Sequence, residues 1–173
     1  AYYWKKFIGT LTEDFKYLEI GSWEGNSALF IINNFKVKKV VCVDIWEDEN
    51  FKEEQHKNFN NYKKNINEFS NIVDTFKGTS DSFFLNQKDK YDVIYIDGSH
   101  EADQVYKDIK NSWNILNING ILICDDYFYG NIYKNPNNVP SIAINKFVNE
   151  LLENNSVGIL CVNNSQIFLK KRN

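Results

Sequence analysis

The chain has 173 residues, with 20 Lys and Arg against 23 Asp and Glu, so its formal net charge is −3. This length fits a single domain over residues 1–173, because a chain of this size can bury roughly 70% of the surface it exposes when unfolded. A slightly acidic chain with one arginine, Arg172, is a poor phosphate binder, and no apolar run approaches the ~20 residues of a membrane helix. We therefore expect neither a nucleic-acid partner nor a membrane partner.

Apolar, β-rich runs alternate with helical patterns along the chain. The runs are continuously apolar, which indicates strands buried on both faces of a sheet. The predicted strands are 17–20, 40–45, 72–76, 92–97, 121–124, 157–162 and 166–169. The predicted helices are 26–35, 51–69, 80–85, 101–116 and 141–154. This order predicts an α/β fold with a doubly wound, mostly parallel, seven-stranded Rossmann-like sheet.

The last two predicted strands are joined differently from the others. Only residues 163–165, Asn-Asn-Ser, separate them. That link is too short for a parallel crossover, so the two strands should form a C-terminal antiparallel hairpin.

A glycine turn follows the first strand, at residues 19–25 with the sequence E-I-G-S-W-E-G. A dinucleotide site would have glycine in place of Trp23, because the backbone there must approach a pyrophosphate. A ligand with a ribose but no phosphates would still fit. Asp44, 19 residues after Gly25, ends the second strand and can accept hydrogen bonds from both ribose hydroxyls. Alternatively, the glycines only permit a tight turn and Asp44 caps a helix.

With strand, turn, helix, strand and acid in this order, the chain resembles the class I S-adenosylmethionine-dependent methyltransferases from Tyr17 to Lys170. The resemblance implies S-adenosylmethionine as cofactor, with the glycine turn at its methionine part and Asp44 at its ribose. Ser80 and Trp46 would lie at the adenine, although Trp46 would serve equally well as a hydrophobic plug beside the sheet. The cofactor-binding residues implied are Glu19, Gly21, Ser22, Gly25, Asp44, Trp46, Ser80 and Asp97.

Three acids, Asp97, Asp125 and Asp126, follow the fourth and fifth predicted strands. Neighbouring parallel strands converge at their carboxyl ends, so these acids should crowd together and repel one another unless a cation neutralises them. Oxygen ligands favour Mg²⁺, and we predict a metal site formed by all three. Consecutive strand residues point to opposite faces, so Asp125 and Asp126 can share an ion only if the chain leaves the strand there. The alternative makes one of them a helix cap or an acceptor behind the ligands.

His100 lies three residues after Asp97, at the start of the next predicted helix. A helix N-terminus disfavours a charged ring, and a neutral imidazole suits a general base. We predict that His100 is this base. The alternative is a structural hydrogen bond to Asp103 or Glu101. His56 lies in a solvated helical stretch and receives no role.

The segments Asp-Gly-Ser-His at 97–100 and Asp-Asp-Tyr at 125–127 make the resemblance more specific. They resemble the metal-dependent sugar O-methyltransferases of antibiotic biosynthesis, of the macrolide and aminocoumarin sugar type, and the cephalosporin hydroxylase-like group. This implies Mg²⁺ at the three acids, catalytic roles for Asp97 and His100, and a hydroxyl acceptor on a sugar or glycan-like molecule. Those enzymes are longer, which leaves a homo-oligomer open. A catechol or phenol O-methyltransferase and a cofactor-binding module without turnover are the alternatives.

Three smaller features complete the sequence predictions. Residues 127–133 carry four aromatics, which suits a lid or acceptor platform, or else a loop packed on its own core.

Cys42, Cys124 and Cys161 match no zinc or disulfide pattern and predict buried thiols in a reducing, cytoplasmic setting. The chain contains no methionine, so we expect its natural N-terminus to be missing.

Overall fold

The computed structural model describes residues 1–47, 51–130, 132, 134–163 and 165–173. The strands are β1 (Phe15–Ile20), β2 (Val37–Asp44), β3 (Val73–Lys77), β4 (Tyr91–Ile96), β5 (Leu116–Cys124), β6 (Val157–Asn163) and β7 (Gln166–Lys171). The helices are α1 (Tyr2–Ile8), α2 (Asn26–Asn34), α3 (Lys52–Ile66), α4 (Ser80–Leu85), α5 (Ala102–Ile115) and α6 (Pro140–Glu153). The strands form one sheet in the order β3-β2-β1-β4-β5-β7-β6. The predicted doubly wound, mostly parallel α/β fold is confirmed.

Residues 1–87 form one compact unit, in which β1 pairs with β2 and β2 pairs with β3, both in parallel. The centre of β2 is a run of β-branched and small apolar residues, Val40 to Val43, all buried. Such residues fit a strand that is covered on both faces. Helix α1, which the sequence analysis did not predict, buries Trp4 and Ile8.

Residues 88–173 form a second compact unit. Within it β4 pairs with β5 in parallel, and β7 runs antiparallel to both β5 and β6. The predicted terminal hairpin is therefore confirmed, although Asn164 in its turn lies outside the described residues. The single domain over residues 1–173 stays a prediction.

The boundary between α5 and β5 differs from the prediction. The apolar stripe of Val105, Ile109 and Trp113 is buried as expected. The helix ends at Ile115, and β5 starts at Leu116 rather than at residue 121. A Cβ on Gly120 would lie 2.9 Å from the Asp92 carbonyl oxygen, so glycine permits close approach of β5 to β4.

Candidate active site

The glycine turn leaves β1 through two left-handed residues. Gly21 has φ 90° and Gly25 has φ 78°, and Gly25 is the N-cap of α2. The Gly21 N–H donates to the Val43 carbonyl at 2.8 Å, which ties the turn to β2. A Cβ on Gly25 would lie 3.0 Å from Tyr62 Cδ2, so packing and backbone both favour glycine there.

Asp44 holds two further left-handed residues through its carboxylate. Its Oδ2 accepts from the Trp23 N–H at 2.8 Å, and its Oδ1 accepts from the Trp46 N–H at 2.9 Å. Trp23 has φ 43° and Trp46 has φ 41°, which is uncommon for bulky residues. Each carboxylate oxygen still has a lone pair for a ribose hydroxyl. The helix-cap alternative does not hold, since α3 begins eight residues later at Lys52.

Glu19 is a fully buried acid beside the turn. Its Oε2 accepts from the Tyr17 hydroxyl at 2.9 Å and from Ser27 Oγ at 2.7 Å. Burial raises the pKa of Glu19 above its ordinary value, although the hydrogen bonds from Ser27 and Tyr17 oppose the shift. Glu19 Oε1 and the buried Ser22 Oγ lack hydrogen-bond partners in the part of the chain that the structure describes. Buried polar atoms without partners fit a ligand that donates hydrogen bonds, as the ammonium of S-adenosylmethionine does.

The two residues predicted at the adenine differ in their surroundings. Trp46 is only 2% exposed and packs against Phe59 and Tyr62, with ring centroids 4.8 and 4.5 Å away. Its Nε1 donates to the Trp23 carbonyl at 2.6 Å. This packing corresponds to the hydrophobic-plug alternative. Ser80 is half-buried at the start of α4, directly after the N-cap Thr79, and stays a predicted contact.

Tyr95, which the sequence analysis missed, joins two of the predicted acids. Its hydroxyl is hydrogen-bonded to Asp97 Oδ2 at 2.8 Å and to Asp125 Oδ2. Burial raises the pKa of the Tyr95 phenol strongly, and the charges of Asp97 and Asp125 raise it further. Tyr95 lies two residues before Asp97, so it shares a strand face with that acid, and period-two counting could have found it.

Asp125 is surrounded by hydrogen-bond donors. Beside the Tyr95 hydroxyl, Oδ2 accepts from Gln166 Nε2 at 2.6 Å. Oδ1 accepts from Ser165 Oγ at 3.0 Å and from the Asp126 N–H at 2.8 Å. A carboxylate offers about four lone-pair sites, so this one is close to saturated.

Asp126 turns away from its neighbour towards His100. Strand β5 ends at Cys124 and Asp126 has φ 56°, so the chain does leave the strand there. Asp126 Oδ2 lies 2.7 Å from His100 Nε2. The sequence predicts Asp103 or Glu101 as the alternative hydrogen-bond partner of His100, whereas the structure pairs His100 with Asp126.

Tyr129 packs against one face of the His100 ring, which is also in contact with Asp126. Its ring stacks on the His100 imidazole, with centroids 4.0 Å apart and planes inclined at 29°. The His100 side chain is 42% exposed, so part of the ring stays open to solvent. Helix α5 starts at Ala102, which places His100 just outside it.

The three acids do not fit a metal centre in this arrangement. Asp97 and Asp125 meet at the Tyr95 hydroxyl, while Asp126 contacts His100. Among the residues that the structure describes, no group of three or more His, Cys, Asp or Glu side chains could hold a metal ion. The Mg²⁺ site at Asp97, Asp125 and Asp126 stays a prediction, and we derive no chemical step through it.

The aromatic segment after β5 is described in part. The Tyr127 hydroxyl donates to Asn145 Oδ1 at 2.7 Å, and its N–H donates to the Ser165 carbonyl at 2.6 Å. Phe128 is 65% exposed, which leaves its ring available to a partner molecule. Tyr133, the fourth aromatic of this segment, lies outside the described residues.

The cysteines are free and mostly covered. Cys42 and Cys124 are buried and Cys161 is half-buried. Burial raises the pKa of the Cys42 and Cys124 thiols, which keeps both protonated and unreactive. In the described ranges, no helix has the length and apolar character required to cross a membrane.

Comparison with known proteins identifies the family. Residues 18–127 match the methyltransferase domain family. The chain therefore belongs to that family, and its fold is that of the class I S-adenosylmethionine-dependent methyltransferases. An uncharacterized protein of Acanthamoeba polyphaga mimivirus is 28% identical over 123 residues, which are 66% of this chain and 52% of that protein. The chain thus spans about half the length of this curated relative.

Solved structures share the fold at low sequence identity. The O-methyltransferase of Bacillus cereus in complex with SAH has a TM-score of 0.70 at 16% identity, over 91% of this chain and 74% of that one. The O-methyltransferase TomG of Streptomyces achromogenes, involved in tomaymycin synthesis and in complex with SAM, has a TM-score of 0.70 at 13% identity, over 91% and 72%. An rRNA methylase of Streptococcus thermophilus has a TM-score of 0.66 at 12% identity, over 96% and 92%.

Proposed function

We propose that this protein transfers the methyl group of S-adenosylmethionine to a hydroxyl of a sugar or glycan-like small molecule. The observation that carries the methyl-donor part is the pair of unpartnered buried atoms, Glu19 Oε1 and Ser22 Oγ, beside a turn that is tied to Asp44 through Trp23. These acceptors suit the ammonium and the ribose hydroxyls of that molecule. The family match and the SAM and SAH complexes of structures with the same fold support the same donor.

The contact between His100 and Asp126 supports transfer to oxygen. Bound S-adenosylmethionine supplies a methyl carbon made electrophilic by its sulfonium. His100 takes the hydroxyl proton as the acceptor oxygen bonds to that carbon. The carbon–sulfur bond breaks and sulfur keeps the electron pair, so the products are a methyl ether, a neutral thioether and a protonated imidazole. Most of the remaining acceleration would come from holding oxygen, carbon and sulfur in line.

The exposed aromatics after β5 support a sugar or another ring as the acceptor. Phe128 and Tyr129 present exposed rings, and aromatic faces pack well on the apolar faces of sugars. A catechol or phenol would use the same surface and is the second candidate. The rRNA methylase of the same fold raises RNA as a third, but the net charge of −3 disfavours a polyanion.

An acceptor panel tests this function directly. The chain would first be titrated with S-adenosylmethionine by calorimetry. It would then be incubated with sugars, catechols, phenols and an rRNA fragment, and the products would be read by mass spectrometry. We expect donor binding and methylation of a sugar hydroxyl. If only a catechol or only RNA were methylated, that class of acceptor would replace the sugar in the proposal. If the chain did not bind S-adenosylmethionine, the proposal would be refuted.

Running the same panel in chelator and then with added Mg²⁺ tests the metal dependence implied by the sequence resemblance. Activity that vanishes on chelation and returns with Mg²⁺ would support the three-acid site. The cytoplasmic setting and the homo-oligomer also remain predictions.

A further inference from the structure

The contacts of the acidic residues separate them into two groups with different roles. One group is Asp97 and Asp125 around the Tyr95 hydroxyl, and the other is Asp126 with His100. We infer that Asp126 is a positioning residue that holds His100 in one tautomer. Held in this way, His100 accepts the proton of the acceptor hydroxyl without help from a divalent cation. The inference rests on the proposed methyl transfer and adds to it a positioning residue and independence from a divalent cation.

The backbone conformation of Asp126 brings its side chain to His100. Its left-handed φ of 56° directs the side chain to His100, while its N–H donates to Asp125 Oδ1. A carboxylate only accepts, so the 2.7 Å contact requires a proton on Nε2 of His100, which in the neutral ring selects the Nε2–H tautomer. Nδ1 then carries the lone pair that can take a proton from a hydroxyl.

The surroundings of the other two acids oppose a shared ion. Asp125 already accepts from Tyr95, Gln166, Ser165 and the Asp126 backbone. Binding of a metal would displace some of these donors and turn Asp126 away from His100. Both changes would break hydrogen bonds to charged groups, which are stronger than hydrogen bonds between neutral groups.

The stacked ring limits how the imidazole can move. Tyr129 lies against one face of His100 with centroids 4.0 Å apart, and Asp126 holds its Nε2 edge. Part of the imidazole remains exposed, so a small acceptor can approach it. Held in this way, the imidazole presents Nδ1 in a defined direction, which is what a positioned base requires.

The tautomer can be measured without any activity. Long-range ¹H–¹⁵N spectra of the full chain would report which nitrogen of His100 carries the proton, with His100→Gln to assign the signals. We expect Nε2–H in the native chain. Asp126→Asn should give a mixture, because its amide can accept from Nε2–H or donate to bare Nε2, and asparagine tolerates the left-handed backbone. The matched control is Asp103→Asn, an exposed acid in the first turn of α5, which should leave the native spectrum unchanged.

Independence from a divalent cation is tested on the same samples. Mn²⁺ would be titrated as a paramagnetic probe, and turnover would be compared in chelator and in Mg²⁺. We expect no stoichiometric Mn²⁺ binding and equal turnover in both. Asp126→Asn should lower kcat by less than the about 10²–10⁴-fold that loss of a base costs, with acceptor KM little changed. Tight Mn²⁺ binding that is lost in Asp126→Asn, or a His100 tautomer that follows Asp103, would overturn the inference. If the native chain transfers no methyl group, the proposed function fails, and the spectra still decide the His100–Asp126 pair.

Discussion

The Tyr17 hydroxyl donates a hydrogen bond of 2.9 Å to Glu19 Oε2, along one face of β1. The relation recurs on β4, where the Tyr95 hydroxyl donates to Asp97 Oδ2 at 2.8 Å. In both cases a tyrosine precedes the acid by two residues, so the two side chains lie on the same side of the extended chain. Each acid at a strand end is thus held from within its own strand, which leaves its remaining acceptor capacity for other partners.

Glu19→Gln should raise stability and reduce binding of the methyl donor. The folded-state pKa of Glu19 lies above its ordinary value of 4.5, so its contribution to stability is full below that pH and is lost as the pH rises. Glutamine keeps an acceptor for Tyr17 and Ser27 without this loss. In urea unfolding at several pH values, the advantage of Gln over Glu should therefore grow upward from about pH 4.5.

The same variant should bind S-adenosylmethionine about 10- to 100-fold more weakly, because it loses a charged acceptor for the ammonium. Calorimetry measures that change. A stability difference that does not depend on pH would contradict the assignment of the raised pKa to burial of the carboxylate.

Asp44→Ala should weaken binding of S-adenosylmethionine by about 1.5–3 kcal/mol, typical of hydrogen bonds to a charged group. Asp74→Ala is the matched control, since Asp74 is an exposed acid on β3 whose partner is Lys39 at 2.6 Å. That change should leave donor affinity unaltered. Equal affinities for Asp44→Ala and the native chain would argue against ribose at this acid.

His100→Ala should lower turnover by about 10²–10⁴-fold, the usual worth of a general base. Donor affinity should hardly change, because the ribose and ammonium contacts are assigned to Asp44 and Glu19. His56→Ala, an exposed position in α3, is the control and should keep native turnover. Turnover corrected for the folded fraction of each variant decides whether His100 is the general base. Near-normal turnover in both His100→Ala and His100→Gln would leave His100 with only a structural role.

Gly25→Ala should destabilise the fold by about 1–3 kcal/mol, because alanine is strained in the left-handed conformation. Its Cβ would also lie 3.0 Å from Tyr62 Cδ2. Gly158→Ala makes the same chemical change where the nearest atom, Arg172 Nε at 3.2 Å, belongs to a flexible side chain. That control should shift the free energy of unfolding by less than about 1 kcal/mol. Comparable losses in both variants would show that the turn has no special requirement for glycine.

The architecture was predictable because its signals are local in the chain. Continuous apolar runs predicted buried parallel strands, and the three-residue link before Gln166 predicted the terminal hairpin. The glycine turn and Asp44 were found by their spacing, and the structure connects them through the Trp23 N–H. Helix α1 was missed because its short sequence carries no capping signal, and its own N-cap makes no side-chain hydrogen bond.

The partners of the acids were decided only in the tertiary structure. The letters Asp-Asp-Tyr do not show that Asp126 adopts φ 56° and turns to His100, since that dihedral depends on how the chain leaves β5. Saturation of Asp125 by Gln166 depends on β7 lying antiparallel to β5, a pairing between segments about 40 residues apart. Local sequence determines periodicity and therefore the elements. Which donor reaches which carboxylate depends on side-chain directions that exist only once the strands have paired.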